Sequence, residues 1–364
     1  MSEWKEYKLG EVLSIKYGKD HKQLQEGVYP VYGSGGVMRY ADRFIYDDES
    51  ILIPRKGSLN NIFYENKAFW TVDTMFWSVI NKNKAYPKFL YYQLTLVDFE
   101  NLNVGSAVPS LTIPTINEVD ISLPSLDTQR RIAAILSSLD DKIDLLHREN
   151  ATLEQMAETL FKELVLNKEN EGTIEQIVSI QNGYAFKSKD FKDVGAHKVI
   201  KIKNISDSIV NIDTTDFVDD NAIIGLSPKF KINGGDILIA MTGAEIGKLG
   251  IIPKNDKSLW LNQRVGLLVE KFKGSKYLAY LQLKSDFGQD YIENTATGSA
   301  QPNISGVGIE KCGFPIFKQE DLIQISLQIG ELYDKIIFNL GQINVLKDTR
   351  DFLLPKLMNN EIKI

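Results

Sequence analysis

The chain repeats itself, and any fold it adopts must hold two copies of one unit. Gly105-Ser106-Ala107-Val108-Pro109-Ser110-Leu111 returns as Gly298-Ser299-Ala300-Gln301-Pro302-Asn303-Ile304, an offset of 193 residues. The same offset relates Asp141-Lys142-Ile143 to Asp334-Lys335-Ile336, Leu153 to Leu346 and Leu164 to Leu357. Upstream, Ile51-Leu52-Ile53 matches Ile237-Leu238-Ile239 at 186, and Val12-Leu13-Ser14-Ile15 matches Ile177-Val178-Ser179-Ile180 at 165. The globular parts therefore differ by insertions while the segments after them stay in register. Two copies of globule plus helix make a pseudo-symmetric protein, which suits a pseudo-symmetric target.

The helices are read from heptads. Between 128 and 166, Ile132, Leu139, Leu146, Leu153 and Leu160 recur every seventh residue, interleaved with Leu136, Ile143, Asn150, Ala157 and Leu164. Between 319 and 360 the series are Ile325, Leu332, Asn339, Leu346, Leu353 and Ile329, Ile336, Ile343, Arg350, Leu357. Asp127 is the expected N-cap of the first helix, and Pro355 is expected to bend or break the second. Neither helix buries its seam alone. Packed on each other as an antiparallel coiled coil, they would carry the two globules at opposite ends of a rod. Asn150, Asn339 and Arg350 would then fix register at some cost in stability. The alternative is that each helix folds back on its own globule.

Each globule has short apolar runs broken by turns. In the first, Val28–Tyr32, Ser50–Pro54 and Phe76–Ile80 predict strands, and Lys88–Phe99 has helical spacing. In the second, Val199–Lys203, Ile237–Ala240 and Val265–Val269 predict strands, the middle one after the Gly234-Gly235-Asp236 turn. The expected architecture is mixed α/β (α+β), with domains at 1–127 and 168–318 and helices at 128–167 and 319–364.

Charge limits the partners. The net charge is −6, and the parts carry 13 basic against 16 acidic groups (1–127), 19 against 18 (168–318), and 5 against 7 in each helical segment. No part is a simple basic DNA binder, so a nucleic-acid site would be a local patch or would be completed by a basic partner. The single cysteine, Cys312, excludes an intramolecular disulfide and fits a reducing compartment. With a charged N-terminus lacking a signal-like apolar core and no apolar run near the ~20 residues that span a bilayer, a cytoplasmic protein is expected.

At this level of detail the sequence resembles the specificity (S) subunit of bacterial and archaeal type I restriction–modification systems. The resemblance is carried by Tyr29-Pro30-Val31-Tyr32-Gly33-Ser34-Gly35-Gly36, Ile51 through Asn61 and Phe69-Trp70-Thr71-Val72-Asp73-Thr74, which look like one class of target-recognition domain. Gly235 through Ala244 and Leu261-Asn262-Gln263-Arg264-Val265 look like a second class. Leu123-Pro124 through Gln129-Arg130-Arg131-Ile132-Ala133 is similar to the start of the family's helix, with Asp127-Thr128 where Glu is more usual; the second copy, Phe314-Pro315 with Glu320-Asp321-Leu322, is looser. The resemblance covers essentially the whole chain. It implies two domains that each read one half of a split double-stranded DNA sequence, with a gap set by the helices. It also implies two adenine-methylating modification subunits and restriction motor subunits as partners, which hold the catalytic chemistry.

The residues themselves offer no enzyme. Neither an Asn/Asp-Pro-Pro-aromatic motif nor a Phe-x-Gly-x-Gly motif is present, and Gly243-Ala244-Glu245-Ile246-Gly247-Lys248-Leu249 is one residue short of a P-loop and lacks its hydroxyl. His21, His147 and His197 have no metal-ligand spacing, so no cofactor or metal is expected. Base-reading candidates are polar residues in glycine-rich loops: Ser34, Arg39, Arg55, Lys56, Ser58, Asn60 and Asn61 in the first globule, and Lys187, Lys201, Lys203, Asn204, Thr242, Lys248, Asn262, Gln263 and Arg264 in the second. Ser299 and Gln301 of the repeated loop join them, the rest of that loop being assigned to packing. For each candidate a solvated charge or a structural hydrogen bond is the competing explanation. Phe69, Trp70, Phe76 and Trp77 are assigned to the core rather than to base stacking. Two rival functions remain: a scaffold that joins partners through the helices without touching bases, and a stand-alone DNA enzyme.

Overall fold

The computed structural model describes residues 4–105, 107–298 and 301–364. The chain divides into two units, Met1–Asp141 with Lys347–Ile364, and Lys142–Leu346. These bounds differ from those expected from sequence, because each long helix gives one segment to each unit and has no domain of its own.

In the first unit, β1 (Lys5–Lys8) leads into β2 (Leu13–Tyr17), β3 (Tyr29–Gly33), β4 (Gly36–Ala41), β5 (Ser50–Pro54), β6 (Phe63–Glu65), β7 (Trp70–Thr71) and β8 (Met75–Ile80). Helices α1 (Pro87–Leu94) and α2 (Ile113–Asn117) follow, then β9 (Asp120–Leu123) and α3 (Leu126–Val165). The sheets run β2-β8-β5-β6 and β4-β3-β7, and β1 pairs with β9. β5 is a continuous apolar run because it is buried along its whole length. Its one polar side chain is satisfied reciprocally: Ser50 Oγ donates to Ser78 O at 2.7 Å and accepts from Ser78 N at 2.9 Å. α1 is shorter than the helix expected over 88–99; the chain leaves it at Thr95 and forms a separate 3-10 turn at Phe99–Leu102.

α3 begins two residues before the expected start. Ser125, not Asp127, caps it, its Oγ accepting from Thr128 N at 3.3 Å. Its first turns pack on the final turns of the C-terminal helix. Ile132 and Leu357 line one small cavity, and farther along α3, Asp140 Oδ1 takes Arg350 Nη1 at 2.9 Å while Asp140 Oδ2 accepts from the Tyr92 hydroxyl at 2.5 Å. Rising numbers on one helix meet falling numbers on the other, so within this unit the two segments are antiparallel.

The second unit is built from β10 (Gly172–Thr173), β11 (Val178–Asn182), β12 (Phe191–Lys192), β13 (His197–Ile200), β14 (Ile205–Ser206), β15 (Ile209–Val210) and β16 (Asp216–Val218), then α4 (Asp220–Ile223). β17 (Lys231–Ile232), β18 (Ile237–Ala240), β19 (Leu249–Ile251), β20 (Leu259–Leu261) and β21 (Val265–Glu270) precede α5 (Ser275–Lys284), α6 (Asp286–Thr295) and α7 (Gly306–Glu310). The chain ends through β22 (Gly313–Phe314) and α8 (Gln319–Met358). Its sheets run β11-β21-β18-β19-β15-β14 and β12-β16-β13-β20-β17, with β10 on β22. The strand expected over 199–203 stops at Ile200. Asn204 Oδ1 accepts from Lys201 N at 2.9 Å and turns the next residues into a 3-10 segment, Ile202–Asn204.

The repeat is now visible as structure. β2 and β11 stand 165 residues apart, α2 and α7 193, and α3 and α8 193 with the same length of 40 residues. α8 continues through Pro355 to Met358, so of the bend or break expected there the helix shows no break. The carbonyl that loses its donor belongs to exposed Asp351, where water can replace it.

On the helices, Ile132, Ile143, Leu146, Ile329, Ile336 and Asn339 are buried, whereas Leu139, Asn150, Leu153, Leu160, Leu332, Leu346 and Leu353 are half-buried. In the second unit, Asn339 Nδ2 donates to Asn150 Oδ1 at 2.9 Å. Beside it, Lys284 at the end of α5 reaches Glu154 Oε1 at 2.6 Å and Glu158 Oε1 at 3.0 Å. Burial works against the ammonium, but the Tyr280 hydroxyl and both carboxylates outweigh it and hold the Lys284 pKa above 10.5. A raised lysine pKa contributes stability that is complete below pH 10.5 and fades above it. Lys284→Met is therefore expected to cost about 1–2 kcal/mol at pH 7, the ion triad being one-third exposed. Urea unfolding at a series of pH values checks this; a gap between wild type and variant that does not narrow above pH 10.5 would contradict it.

Candidate nucleic-acid interface

In each unit the repeated loop is pinned by backbone to the turn after the central strand. In the first, Gly57 N donates to Pro109 O at 3.1 Å and Leu111 N to Arg55 O at 2.9 Å. In the second, Gly243 N donates to Pro302 O at 2.8 Å and Ile304 N to Met241 O at 3.0 Å. Gly57 and Gly243 both take left-handed backbone, with φ of 93° and 83°, which is why glycine stands at both turns. The shared loop thus has a structural role in each half, and the polar residues of the adjoining turns ride on it.

The first-unit candidates fall into two groups. Lys56 and Ser58 are exposed on the turn. Arg55 is held: its Nη1 donates to Asp73 O at 3.2 Å and its guanidinium lies 5.4 Å from the centre of the Tyr17 ring. Arg39 Nη2 donates to Leu24 O at 3.0 Å. Asn61 Nδ2 donates to Ser34 O at 2.7 Å, which joins the Gly33–Gly36 turn to the Gly57 turn. Asn60 is occupied at both ends, its Oδ1 accepting from Phe99 N at 2.7 Å and its Nδ2 donating to Asp98 Oδ1 at 3.2 Å. These bonds brace the turn, and both asparagines remain exposed on it. Phe69 and Phe76 are buried, and half-buried Trp70 and Trp77 donate through Nε1 to Lys19 O and Tyr17 O.

In the second unit Lys201, Lys203, Asn262, Gln263 and Arg264 converge on one concavity of about 350 Å³, with Phe186 and Phe191 on its wall. Lys201 Nζ lies 2.9 Å from Asp216 Oδ2 and Lys203 Nζ 3.1 Å from Asp216 Oδ1. Partial burial would raise the Asp216 carboxyl, but the two ammonium groups prevail and hold it below its ordinary value. It therefore stays ionised at neutral pH and offsets one of the two lysines. Lys201 also caps the Phe191 ring at 3.4 Å. Asp216, Phe186 and Phe191 are not among the residues the sequence singles out, since no local pattern announces a pairing across 13 residues.

The other candidates are placed elsewhere. Asn204 is fully buried, with Nδ2 on Thr214 O at 3.0 Å, and cannot reach a base. Asn262 is buried and its Oδ1 accepts from Arg264 N at 3.4 Å, a turn-forming role. Thr242 is half-buried at the pinned turn, its Oγ1 without a hydrogen-bond partner among the described residues. Lys248 is exposed and ion-paired with Glu245. Lys187 and Gln301 are exposed, and Ser299 lies outside the described residues. Among the described residues no cluster of His, Cys, Asp or Glu could hold a metal ion, and no helix is long and apolar enough to cross a membrane.

Comparison with known proteins agrees with this architecture. The family described as "Type I restriction modification DNA specificity domain" matches residues 1–155 and again 167–344. The MjaVIII type I restriction enzyme specificity subunit of Methanocaldococcus jannaschii is 27% identical over all of this chain and 93% of its own length. The MjaIX specificity subunit of the same organism is 26% identical over 81% of this chain and 73% of its own. The crystal structure of the type I restriction–modification S subunit from M. genitalium superposes with a TM-score of 0.67 at 18% identity, covering 98% of this chain and 96% of that one, which shows the shared fold. Matched twice in tandem over most of its length, the chain belongs to the type I restriction–modification DNA specificity family.

Proposed function

We propose that this protein is the non-catalytic DNA-recognition subunit of a type I restriction–modification complex. It reads a bipartite double-stranded target, one half-site per unit, with its helices paired as a coiled coil. It recruits two adenine methyltransferase subunits and the restriction motor subunits, and it works in the cytoplasm, where its DNA is. The observation that carries this is that two like frameworks display unlike chemistry at one position. Just before β8 the first unit has Asp73-Thr74; just before β21, in the strand that follows the same place in the repeat, the second has Gln263-Arg264. A carboxylate accepts hydrogen bonds, as from cytosine N4, while the amide of Gln263 pairs with adenine N6 and N7, so the half-sites differ. Near-neutral units also fit a subunit whose partners share the neutralisation of phosphates.

The test is co-expression with a type I methyltransferase subunit from the same genome and genome-wide mapping of methylated adenine. The expected result is a split motif of two short, unlike half-sites with a fixed gap. An unmodified genome from a folded, assembled complex would favour the scaffold, which binds partners without sequence-selective, salt-dependent DNA binding.

A further inference from the structure

Within the second-unit concavity the charged side chains are not equivalent. Lys201 and Lys203 share the Asp216 carboxylate, so the three together present one positive charge. Arg264 differs: its side chain makes no ion pair or hydrogen bond with the described residues, while its backbone is fixed. The Arg264 carbonyl accepts from Met241 N at 3.0 Å, and the preceding Gln263 N donates to Tyr184 O at 2.9 Å. A guanidinium on a rigid turn, unpartnered beside a net cationic pair, marks a site for an anion, and the depression is about 350 Å³.

Its shape decides which part of DNA enters. Base edges lie at the floor of a groove and are reached by side chains that project from a convex surface. A sugar–phosphate strand is itself a ridge and seats in a depression. From this we propose that the concavity grips a backbone phosphodiester of bound DNA, with Arg264 as the anchoring cation and the lysine pair on Asp216 supplying the surrounding field. The inference rests on the DNA-recognition function proposed above and assigns Arg264 and the lysine pair to positioning the domain, not to reading sequence.

The experiment uses the full chain assembled with its methyltransferase subunit. Wild type comes first: without a methylated motif the DNA-recognition function itself fails, an outcome separate from any effect of the variants. Binding is then measured against salt on duplexes carrying the mapped motif and on duplexes with each half-site base changed in turn. Arg264→Ala is expected to weaken binding about tenfold on every duplex alike, to reduce the slope of log K against log salt by about 0.9, and to leave the methylated motif unchanged. Asp216→Asn, which removes the negative charge between the lysines, is expected to act in the opposite sense, with tighter binding and a steeper slope on every duplex. It also keeps the test decisive if Arg264→Ala complexes fail to assemble. A motif that becomes degenerate at one base in Arg264→Ala would make that residue a base reader and overturn the proposal. Binding and salt slope that neither variant alters would overturn it as well.

Discussion

Gly274→Ala is expected to destabilise the second unit by about 2–5 kcal/mol, the sum of two separate costs. Gly274 precedes α5 with φ of 82°, a backbone region that costs an L-residue roughly 1–2 kcal/mol. A Cβ built there would also lie 2.3 Å from the backbone oxygen of Ser326 in α8. The obstacle is main chain, so no rotamer relieves it and either α5 or α8 must move. That contact is the close seat of α5 on α8: Ser326 is fully buried and its Oγ donates to Lys273 O at 3.0 Å, while Gly274 N donates to Glu270 Oε2 at 2.9 Å. Tyr277, one turn on, stacks on Tyr333 of α8 with ring centres 4.8 Å apart and would be displaced with it. Hydrogen exchange on the intact chain provides the readout. Exchange should accelerate in α5 and in the Gln319–Leu346 part of α8, with no change in the β2-β8-β5-β6 sheet of the first unit. Protection equal to wild type in α5 would refute the expectation.

The sequence disclosed the repeat and both long helices because their signals are local and periodic. A heptad seam needs only neighbours on its own helix to be recognised, and the expected spans end within a few residues of Leu126–Val165 and Gln319–Met358. Strands with continuous apolar character, such as Ser50–Pro54 and Ile237–Ala240, are legible for the same reason. What was not legible depends on partners distant in sequence. Lys201 and Lys203 look like free cations until Asp216 is brought beside them by the pairing of β13 with β16. Nothing in the sequence around Asn60 shows that its amide bonds Phe99 N and Asp98. The Gly-Ser-Ala loops show a repeat but not its purpose, because the bonds that pin them to the turns at Gly57 and Gly243 are main-chain bonds, and these leave no side-chain signature. The unit boundary escapes too: nothing in a uniform heptad shows that α3 changes unit between Asp141 and Lys142.

Gln129→Glu is expected to cost the first unit about 4 kcal/mol at pH 7, more than Gln129→Leu, although it changes only one group of atoms. Gln129 is fully buried in the first turn of α3. Its Oε1 accepts from Tyr86 N at 2.7 Å at the start of α1, and its Nε2 donates to Lys84 O at 3.1 Å and to Pro124 O at 2.9 Å. One amide thus joins the helix to the segment before α1 and to the end of β9. Leucine is already what the repeat places at the matching position, Leu322, which is buried without such duties. In the first unit leucine would leave Tyr86 N, Lys84 O and Pro124 O unpaired, a loss of about 3 kcal/mol. Glutamate keeps the bond from Tyr86 N but turns a charged oxygen toward two carbonyl oxygens in a dry site. Desolvation and that repulsion both disfavour the ionised form, so the introduced carboxyl must have a folded-state pKa above its unfolded value of about 4.3. For an acid raised in this way the penalty is complete above the folded pKa and shrinks as pH falls through it, when the protonated group can donate to one of the two carbonyls. Urea unfolding of Gln129→Glu should therefore approach that of wild type as the pH is lowered from 7 to 5, while the deficit of Gln129→Leu stays constant over the same range. Parallel pH profiles for the two variants would mean that Gln129 acts by shape alone, and that the three hydrogen bonds do not fix where α3 begins.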